Sequence, residues 1–460
     1  MRLSRSIPHL SLYTWESLLP DDSLCGGPAQ TSIPSVFLLI FSTDMSRGFF
    51  SFLLFALTFV VATNATSVVQ VRDSLVRVPM VKRFNLTGSG TLLARDQARV
   101  KNLRARANAR LSGTPLSLDA VISVPADNQR IDYAIDVQVG TPPTTYSLLV
   151  DTGSSNTWVG AGQSFEQTST TDETGDDVSV IYGSGCFSGA EYTDTVSLGS
   201  GLTIPGQSIG VATSAEGFDD IDGILGIGPV DLTIGTLHPN TNTTIPTVTD
   251  NLFAQGTITS DLVAVSFEPT ASDPIQNGEL TFGGTDSSKF IGDIEYVPIT
   301  TTFPSSDYFG IDQSIRYGTS TSILSTTTGI VDTGTTLILI ADDAFSEYQS
   351  ATGAVDDDET GLLRLTQAQF AKLQSLFFTI GGVTFELTPN AQIVPRALNS
   401  AIGGNADSVY LIVHSLGTPS GQGLDFINGQ AFLERFYTVF DTGNNRVGIA
   451  NTPFTNATTN

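Results

Sequence analysis

The chain has 460 residues, of which 40% are apolar, with 46 acidic and 21 basic side chains and a formal net charge of −25. This length and composition predict a globular protein with one large bilobed domain or about two or three ordinary domains. The acidic balance excludes nucleic acid as a partner, because such a surface repels phosphate. Three histidines and two cysteines give no metal cluster or Cys/His pair, so we expect no metal and no cofactor.

An export signal is the first predicted element. Met45-Ser46-Arg47 precedes a 14-residue apolar run over residues 49–62, which is typical of a signal peptide and short for a membrane span of about 20 residues. We predict a signal peptide over residues 45–65 and interpret residues 1–44 as a gene-model extension or disordered leader. An internal signal anchor is the alternative. We expect secretion without a stable membrane anchor, or delivery to the vacuole.

Residues 66–118 form a basic segment. Residues 66–112 hold ten Lys or Arg and two acids, whereas the chain from Asp119 onward holds eight basic and forty acidic residues. Within it, residues 92–111 are rich in Ala and Leu and predict a helix with six basic side chains, Arg95, Arg99, Lys101, Arg104, Arg106 and Arg110. Alone, such a helix suggests membrane or nucleic-acid binding. Its charge favours docking on the acidic remainder of the chain, so we predict an inhibitory propeptide that acid loosens.

The acidic remainder predicts an all-β fold with few short helices, because short apolar runs alternate with Gly, Pro, Asn and Asp. Helices are predicted over residues 342–349 and 366–376, with Asp342 or Thr366 as caps. Because no Gly/Ser-rich linker interrupts this region, we predict two lobes with a continuous junction, residues 119–298 and 299–460. The predicted strands are residues 131–139, 147–150, 178–182, 191–198, 209–213, 262–267, 279–282, 294–298, 310–315, 329–331, 377–380, 410–413 and 436–441.

Two segments of the chain have nearly the same sequence. Residues 148–155 read Leu-Leu-Val-Asp-Thr-Gly-Ser-Ser, and residues 329–336 read Gly-Ile-Val-Asp-Thr-Gly-Thr-Thr. Each is an apolar β-type run that ends in Asp-Thr-Gly and two hydroxyl residues. This repetition indicates one carboxylate, Asp151 or Asp332, from each half of a duplicated fold. A third copy, which begins at Asp441, lacks the hydroxyl pair, and we interpret it as a structural turn.

The segment from Tyr146 to Trp158, Tyr-Ser-Leu-Leu-Val-Asp-Thr-Gly-Ser-Ser-Asn-Thr-Trp, resembles the pepsin-family aspartic peptidases. It is most similar to the basidiomycete secreted enzymes of the polyporopepsin type, and the resemblance covers residues 119–450. It implies a bilobed acid-protease fold, with two β-barrel-like lobes flanking a cleft. It also implies protein or peptide substrates and inhibition by pepstatin-type compounds, and we expect a monomer.

Peptide hydrolysis by this family needs two carboxylates that share a proton, because two close carboxylates cannot both ionise easily. One acts as general base on a water, while the other polarises the scissile carbonyl. We expect Asp151 and Asp332 to be this catalytic pair. The resemblance implies that their loops are supported by Thr152, Gly153, Ser154, Thr333, Gly334 and Thr335.

A glycine-rich segment, Tyr182-Gly183-Ser184-Gly185, begins 31 residues after Asp151 and lies between two strand-like runs. The pattern predicts a β-hairpin, and an ordinary hairpin turn is the simplest interpretation. The resemblance implies a flap whose Tyr182 closes over the substrate and bonds to Trp158, with Thr336 also at the substrate site. Ser184 replaces an acidic flap residue of some fungal relatives, so we expect cleavage between large apolar residues.

Four further residues carry expectations. Cys186 is the single thiol expected in the mature chain, since Cys25 precedes the signal; it is either inert or a point at which thiol modification obstructs the flap. Asn428, in the sequence Ile427-Asn428-Gly429, stands where the family that the chain resembles has an apolar residue. We expect Asn428 to have a hydrogen-bond partner, because burying an unpaired amide costs a few kcal/mol. Asn242 and Asn456 begin Asn-X-Thr sequons and are glycosylation candidates.

These patterns together predict an acid-active endopeptidase made as a zymogen. A catalytically inactive pepsin-like binding protein is the main alternative, although such proteins commonly lose an aspartate or the flap tyrosine, and this chain has Asp151, Asp332 and Tyr182. A two-carboxylate glycosidase explains neither the paired threonines nor the duplication.

Overall fold

The computed structural model describes residues 75–86, 90–113, 130–183, 185–199, 201–218, 220–271 and 275–460. All of them belong to one compact unit, Ser67–Asn460. The predicted signal peptide, the segment before it and Ser184 lie outside the described residues. Within the described ranges, no helix combines the length and apolar character that a membrane crossing requires.

Strands make up 43% of the described chain and helices are few, which confirms the predicted all-β class. The strands before residue 300 are β1 (Val76–Asn85), β2 (Arg130–Val139), β3 (Thr144–Asp151), β4 (Thr157–Val159), β5 (Asp172–Tyr182), β6 (Gly185–Ser197), β7 (Thr203–Glu216), β8 (Gly223–Gly226), β9 (Leu237–His238), β10 (Leu262–Phe267), β11 (Ile275–Phe282) and β12 (Ile291–Pro298). The later strands are β13 (Gly310–Tyr317), β14 (Thr321–Val331), β15 (Ile338–Ile340), β16 (Val355–Asp356), β17 (Leu363–Leu365), β18 (Leu376–Ile380), β19 (Val383–Leu387), β20 (Val409–Tyr410), β21 (Val413–Ser415), β22 (Phe426–Asn428), β23 (Phe436–Asp441) and β24 (Arg446–Asn451).

The strands form three sheets. A 14-stranded sheet has the order β12-β24-β23-β10-β11-β1-β2-β3-β8-β4-β7-β6-β5-β9, a 7-stranded sheet has the order β19-β18-β13-β14-β22-β15-β21, and a small sheet has the order β16-β17-β20. Strands β10 and β12, which come before the predicted lobe boundary, pair with β23 and β24 from the end of the chain. The largest sheet therefore joins both halves of the sequence, and the boundary at residue 298 stays a prediction.

Strand β1 lies in the predicted propeptide and was not expected from its basic composition. It is antiparallel to β11 on one side and β2 on the other. Val76, Val78 and Met80 are buried and alternate with exposed Arg77 and Pro79, which is the period-two pattern of a half-buried strand. The segment predicted to be a propeptide thus contributes an internal strand to the largest sheet.

Helix α1 (Leu92–Ser112) agrees closely with the helix predicted over residues 92–111. Thr91 caps its start by accepting a hydrogen bond from the Ala94 N–H at 3.2 Å, and Gly113 ends it in a left-handed conformation with φ 64°. Glycine suits this position because a side chain would be strained there. The other α-helices are α2 (Val248–Ala254), α3 (Asp342–Thr352), α4 (Gln367–Phe370) and α5 (Gln430–Leu433).

Several predicted strands are longer than expected, such as β7 (predicted 209–213) and β14 (predicted 329–331), and two further predicted elements were wrong in type or number. The helix expected over residues 366–376 is only the short α4, capped by Thr366, because Leu376, Phe378 and Ile380 then alternate into the core as strand β18. The strand expected over residues 410–413 is two short strands, since β20 pairs with β17 and β21 pairs with β15 in a different sheet. In both cases, pairing with strands that are distant in sequence determined which element formed.

Candidate active site

Each doubled aspartate lies where two parallel strands meet. Asp151 ends β3, which is parallel to β8 and places Asp151 opposite Gly226. Asp332 directly follows β14, which is parallel to β22 and places Val331 opposite Asn428. The repeated sequence therefore has a repeated local structure, with one copy in each of the two large sheets.

The threonines after the two aspartates bind one another across the site. The Thr152 N–H donates to Thr333 Oγ1 at 2.9 Å, and the Thr333 N–H donates to Thr152 Oγ1 at 3.0 Å. Thr333 Oγ1 also donates to the Val150 carbonyl at 2.9 Å. This reciprocal pair fixes the two loops side by side, so that both fully buried carboxylates face the same point.

Each carboxylate accepts two hydrogen bonds from its own loop. The donors and distances are Gly153 N–H at 2.9 Å and Ser154 Oγ at 2.5 Å to Asp151, and Gly334 N–H at 3.1 Å and Thr335 Oγ1 at 2.6 Å to Asp332. A Cβ at Gly153 would lie 2.7 Å from Asp332 Oδ1, and one at Gly334 would lie 2.6 Å from Asp151 Oδ1. Only glycine permits so close an approach of each loop to the opposite carboxylate.

The Arg99 guanidinium of helix α1 lies against both aspartates. Its Nε donates to Asp332 Oδ2 at 2.7 Å, and its Nη2 donates to Asp332 Oδ1 at 2.9 Å and also to Asp151 Oδ1. Burial lowers the pKa of Arg99, but the two carboxylates outweigh burial and hold it well above its ordinary value. Arg99 is therefore a permanent cation in direct contact with the two carboxylates.

The same contact controls the charge of Asp332. Burial alone would raise the pKa of Asp332, but the Arg99 guanidinium and the hydrogen bonds from Thr335 and Gly334 outweigh it and hold the pKa below its ordinary value. In this arrangement Asp332 is an ionised carboxylate. The site as it stands is a buried guanidinium–carboxylate cluster.

The hairpin of β5 and β6 covers α1 at this point. Trp158 Nε1 donates to the Tyr182 hydroxyl at 3.1 Å, and the Trp158 ring stacks on Phe187 with centroids 4.2 Å apart. A Cβ at Gly183 would lie 2.1 Å from the Arg99 Cα, so the hairpin backbone packs directly against α1. The structure thus brings Tyr182 and Gly183 to the site, and Gly185 begins the second strand of the hairpin.

Two neighbours of Arg99 fix α1 further along the cleft. Asp96 Oδ2 accepts hydrogen bonds from the backbone N–H groups of Thr336 at 3.0 Å and Leu337 at 2.8 Å. Arg95 forms an ion pair with Asp132 at 3.0 Å and donates to Thr336 Oγ1 at 3.3 Å. Thr336 therefore lies at the site, where both its backbone N–H and its hydroxyl bind residues of α1. Burial raises the pKa of Asp96 to about 6, although Arg95 and the two N–H groups oppose it.

The third Asp-Thr-Gly lies elsewhere and has a different environment. Asp441 ends β23, accepts a hydrogen bond from Arg446 Nε at 2.6 Å, and also binds the Asn444 amide at 3.0 Å.

Asn428, in the strand behind the Asp332 loop, forms a reciprocal amide pair with Gln313 at 2.8 and 3.2 Å. The expected partner of Asn428 is thus an equally buried glutamine.

The remaining candidate residues lie outside this cluster. Asn242 and Asn456 are exposed. Cys186 is a free, half-buried thiol opposite Glu216, and burial, with a smaller effect of Glu216, raises its pKa. A raised pKa lowers the thiolate fraction and therefore the reactivity of the thiol.

Sequence reasoning gave no specific role to Arg99 or to Asp96. Residues at positions 95, 99, 106 and 110 recur at intervals of four and seven and therefore share one helix face. This shared face is the sequence signal that could have reduced the number of basic residues expected to contact the rest of the chain from six to four.

Comparisons with known proteins agree with this geometry. The family model for eukaryotic aspartyl protease matches residues 132–452. Polyporopepsin of Irpex lacteus is 70% identical over 338 residues, 74% of this chain and 99% of that protein. Cathepsin E of Mus musculus is 33% identical over 341 residues, 70% of this chain and 80% of that protein. The crystal structure of the aspartic proteinase from Irpex lacteus is similar, with a TM-score of 0.72 and 61% identity, and covers 84% of this chain and 100% of that chain. The chain belongs to the eukaryotic aspartyl protease family and is a pepsin-like aspartic endopeptidase.

Proposed function

We propose that the chain is the latent precursor of a secreted, acid-active endopeptidase, and that residues 66–118 are its inhibitory propeptide. One observation carries the proposal. Arg99 of α1 contacts both Asp151 and Asp332, where a catalytic water and a substrate carbonyl would have to lie. While α1 occupies the cleft, a cation lies against the two carboxylates and the hairpin covers them, so no peptide can reach them.

Release of α1 gives the two carboxylates their catalytic role. Without Arg99, two buried carboxylates in contact share one proton, because ionisation of both is unfavourable. The ionised aspartate takes a proton from a bound water, which attacks the scissile carbonyl while the protonated aspartate polarises the carbonyl oxygen. The proton then passes to the leaving nitrogen. Hydrogen bonds from Ser154 and Thr335 hold the two carboxylates in place through these steps.

The apolar contacts of α1 support a preference for large hydrophobic residues. Leu92, Val100, Leu103 and Ala107 are buried in the same core cluster as residues from both halves of the sequence. Burial of each large side chain stabilises the docked helix by roughly 1.5–3 kcal/mol. A substrate with large apolar residues on both sides of its scissile bond can use the same surfaces once α1 has left.

Acid is the proposed trigger for release. Besides the Arg99 contacts with Asp151 and Asp332, two ion pairs bind α1 to the catalytic part of the chain, Arg95 with Asp132 at 3.0 Å and Arg110 with Asp307 at 2.7 Å. Although burial opposes it, Arg99 holds the pKa of Asp332 below its ordinary value in the docked form, so protonation of Asp332 as pH falls disfavours docking. Docking therefore weakens as pH falls, and the chain can then process itself.

Secretion rests on the sequence alone, through the apolar run at residues 49–62. The exposed positions of Asn242 and Asn456 suit glycosylation during export. The N-terminus of the protein recovered from culture medium, read by mass spectrometry, tests this part of the proposal. Recovery of the chain only from a vacuolar fraction would favour the alternative destination.

The activity is tested by holding purified precursor at about pH 3–4, below the ordinary pKa range of Asp and Glu. We expect self-cleavage followed by casein hydrolysis that pepstatin blocks. Asp151→Asn and Asp332→Asn should each abolish both reactions. Asp441→Asn is the matched control, because it changes the third Asp-Thr-Gly and should lower the melting temperature while leaving activity per folded molecule intact. A processed, folded chain without activity would favour the inactive binding protein.

A further inference from the structure

The end of the cleft reached by the last turn of α1 is lined by carboxylates from two parts of the fold. Arg110 Nη2 lies 2.7 Å from Asp307 Oδ2, in the turn Ser305–Asp307 before β13. The turn Val230–Thr233 after β8 lies nearby, where the Leu232 carbonyl accepts a hydrogen bond from Arg106 Nη2 at 3.0 Å. Exposed Asp231 in this turn raises the pKa of Asp307, although less than burial does.

A cavity of about 430 Å³ adjoins this contact. Arg106 and Arg110 form one side of the cavity, and Val180, Leu232 and His238 lie on the other. This volume is within the range of cavities that hold ligand groups. When α1 leaves, the cavity and the position of the Arg110 guanidinium become one continuous space with Asp307 at its edge.

We propose that Asp307 is a specificity-determining residue that selects substrates with a basic side chain several residues from the scissile bond. The inference rests on the proposed function, in which α1 leaves the cleft. In this structure a guanidinium already occupies the site, and it contacts Asp307 through one nitrogen. A single contact of this kind can also be made by a lysine ammonium, so both basic residues should be accepted.

The spacing of Arg99 and Arg110 along α1 predicts where the basic residue lies in a substrate. Arg110 follows Arg99 by eleven residues within α1, which corresponds to about 16 Å along the axis at about 1.5 Å per residue. An extended peptide covers this distance in about five residues, at roughly 3.3 Å per residue. The basic side chain should therefore be about four to six residues from the scissile bond, on one side only.

The test uses activated enzyme and a set of peptides in which one Arg replaces Gln at each position from six residues before to six residues after the cleaved bond. At about pH 5–6, chosen well above the ordinary aspartate pKa of about 3.9 because burial and Asp231 raise the pKa of Asp307, we expect kcat/KM to increase about fivefold at one position. Asp307→Asn should bring the Arg/Gln ratio close to one. Asp307→Lys should shift the preference at that position to Glu, which a merely structural role of Asp307 would not produce.

Asp312→Asn is the matched control, since it removes one exposed carboxylate from neighbouring β13 and should retain the Arg preference. A flat profile for the wild-type enzyme, or a maximum that persists in Asp307→Asn, would overturn the inference. Cleavage of the parent Gln peptide by the wild-type enzyme reports on the proposed function separately. If that peptide is cleaved and the profile is flat, only the role of Asp307 fails.

Discussion

Arg99 and Asp332 are joined by two parallel hydrogen bonds, from Nε to Oδ2 at 2.7 Å and from Nη2 to Oδ1 at 2.9 Å. This bidentate geometry fixes the orientation of the guanidinium as well as its charge. The same Nη2 also contacts Asp151, so a single side chain joins both halves of the site. The relationship makes Arg99 the residue on which latency should depend most strongly.

Arg99→Gln should therefore produce a precursor that is active without acid treatment. Removal of one partner from a buried ion pair costs about 3–5 kcal/mol, which weakens docking of α1 by at least about 100-fold. We expect cleavage of a peptide substrate at about pH 5 within the mixing time, before any processing is visible on a gel. Arg99→Lys should be intermediate, because an ammonium lacks the planar pair of donors that fits a carboxylate.

Lys101→Gln is the control for the loss of one positive charge from α1, because Lys101 is exposed. This variant should remain latent and require acid, as the wild-type precursor does. If Arg99→Gln and Lys101→Gln behave alike, the Arg99 contact does not maintain latency, and burial of the apolar face of α1 accounts for inhibition instead.

Asp96 should oppose acid release. Its pKa is about 6 in the docked helix and should return to about 3.9 in the released one. Since the docked form holds the proton more strongly, a fall in pH through this window favours docking, by up to about 3 kcal/mol. Asp96→Asn imitates the neutral carboxyl at every pH. We expect the variant to convert more slowly than wild type at pH 5–6 and equally fast below about pH 4, as measured by conversion half-times.

The opposite result, faster conversion of Asp96→Asn at every pH, would mean that the charged carboxylate itself anchors α1. In that case the hydrogen bonds from Thr336 and Leu337 would outweigh the cost of burial.

Features encoded locally could be predicted from sequence. The strands at residues 262–267 and 436–441 have the predicted bounds, and α1 differs from prediction by one residue. Period-two and helical apolar patterns depend only on neighbours along the chain. The repeated Asp-Thr-Gly segments likewise indicated that two carboxylates meet.

Features that depend on distant partners could not be predicted. Strand β1 forms because β11 and β2 lie on either side of it, and neither partner is near it in sequence. The six basic residues of α1 look alike in sequence, and only the fold places Arg99, rather than Arg95 or Arg106, against the aspartates. The ion pair between Arg110 and Asp307 is nonlocal in the same way.

Glu191 should make the protein less stable at neutral pH. It is 3% exposed, and among the described residues only one of its carboxylate oxygens has a hydrogen-bond partner, Ser208 Oγ at 2.5 Å. Burial raises its pKa to about 7, with Asp176 adding to the shift and Ser208 opposing it. Because the folded-state pKa exceeds the unfolded one, Glu191 contributes stability that is complete below about pH 4.3 and is lost as pH rises through about 7, a change of about 4 kcal/mol.

Glu191→Gln removes this dependence, because the amide stays neutral. We expect thermal unfolding curves of the variant and the wild-type protein to coincide near pH 4, and the variant to melt several degrees higher near pH 8. Glu173→Gln, an exposed change in the neighbouring strand β5, should leave the wild-type pH profile unchanged. Equal melting temperatures of the wild-type and Glu191→Gln proteins at pH 8 would contradict the assignment.

The amide pair of Asn428 and Gln313 should be strongly coupled. Both side chains are fully buried, and each satisfies the other. Asn428→Leu alone leaves the Gln313 amide without its partner in an apolar environment, which should cost about 1–3 kcal/mol of unfolding free energy. Gln313→Leu should have a similar cost. The double variant replaces both polar groups with apolar ones and should recover much of the loss, which gives a coupling energy of about 1–3 kcal/mol.

Urea unfolding of the four proteins measures this cycle, and the kcat of the activated enzymes shows its consequence for the site. The Asn428 carbonyl accepts a hydrogen bond from the Asp332 N–H at 3.1 Å, and this backbone contact survives all of the substitutions. We therefore expect kcat to follow the recovery of stability in the double variant. Additive losses of stability would show that the two amides act independently, and a kcat that stays low in a stable double variant would show that the pair positions the Asp332 loop.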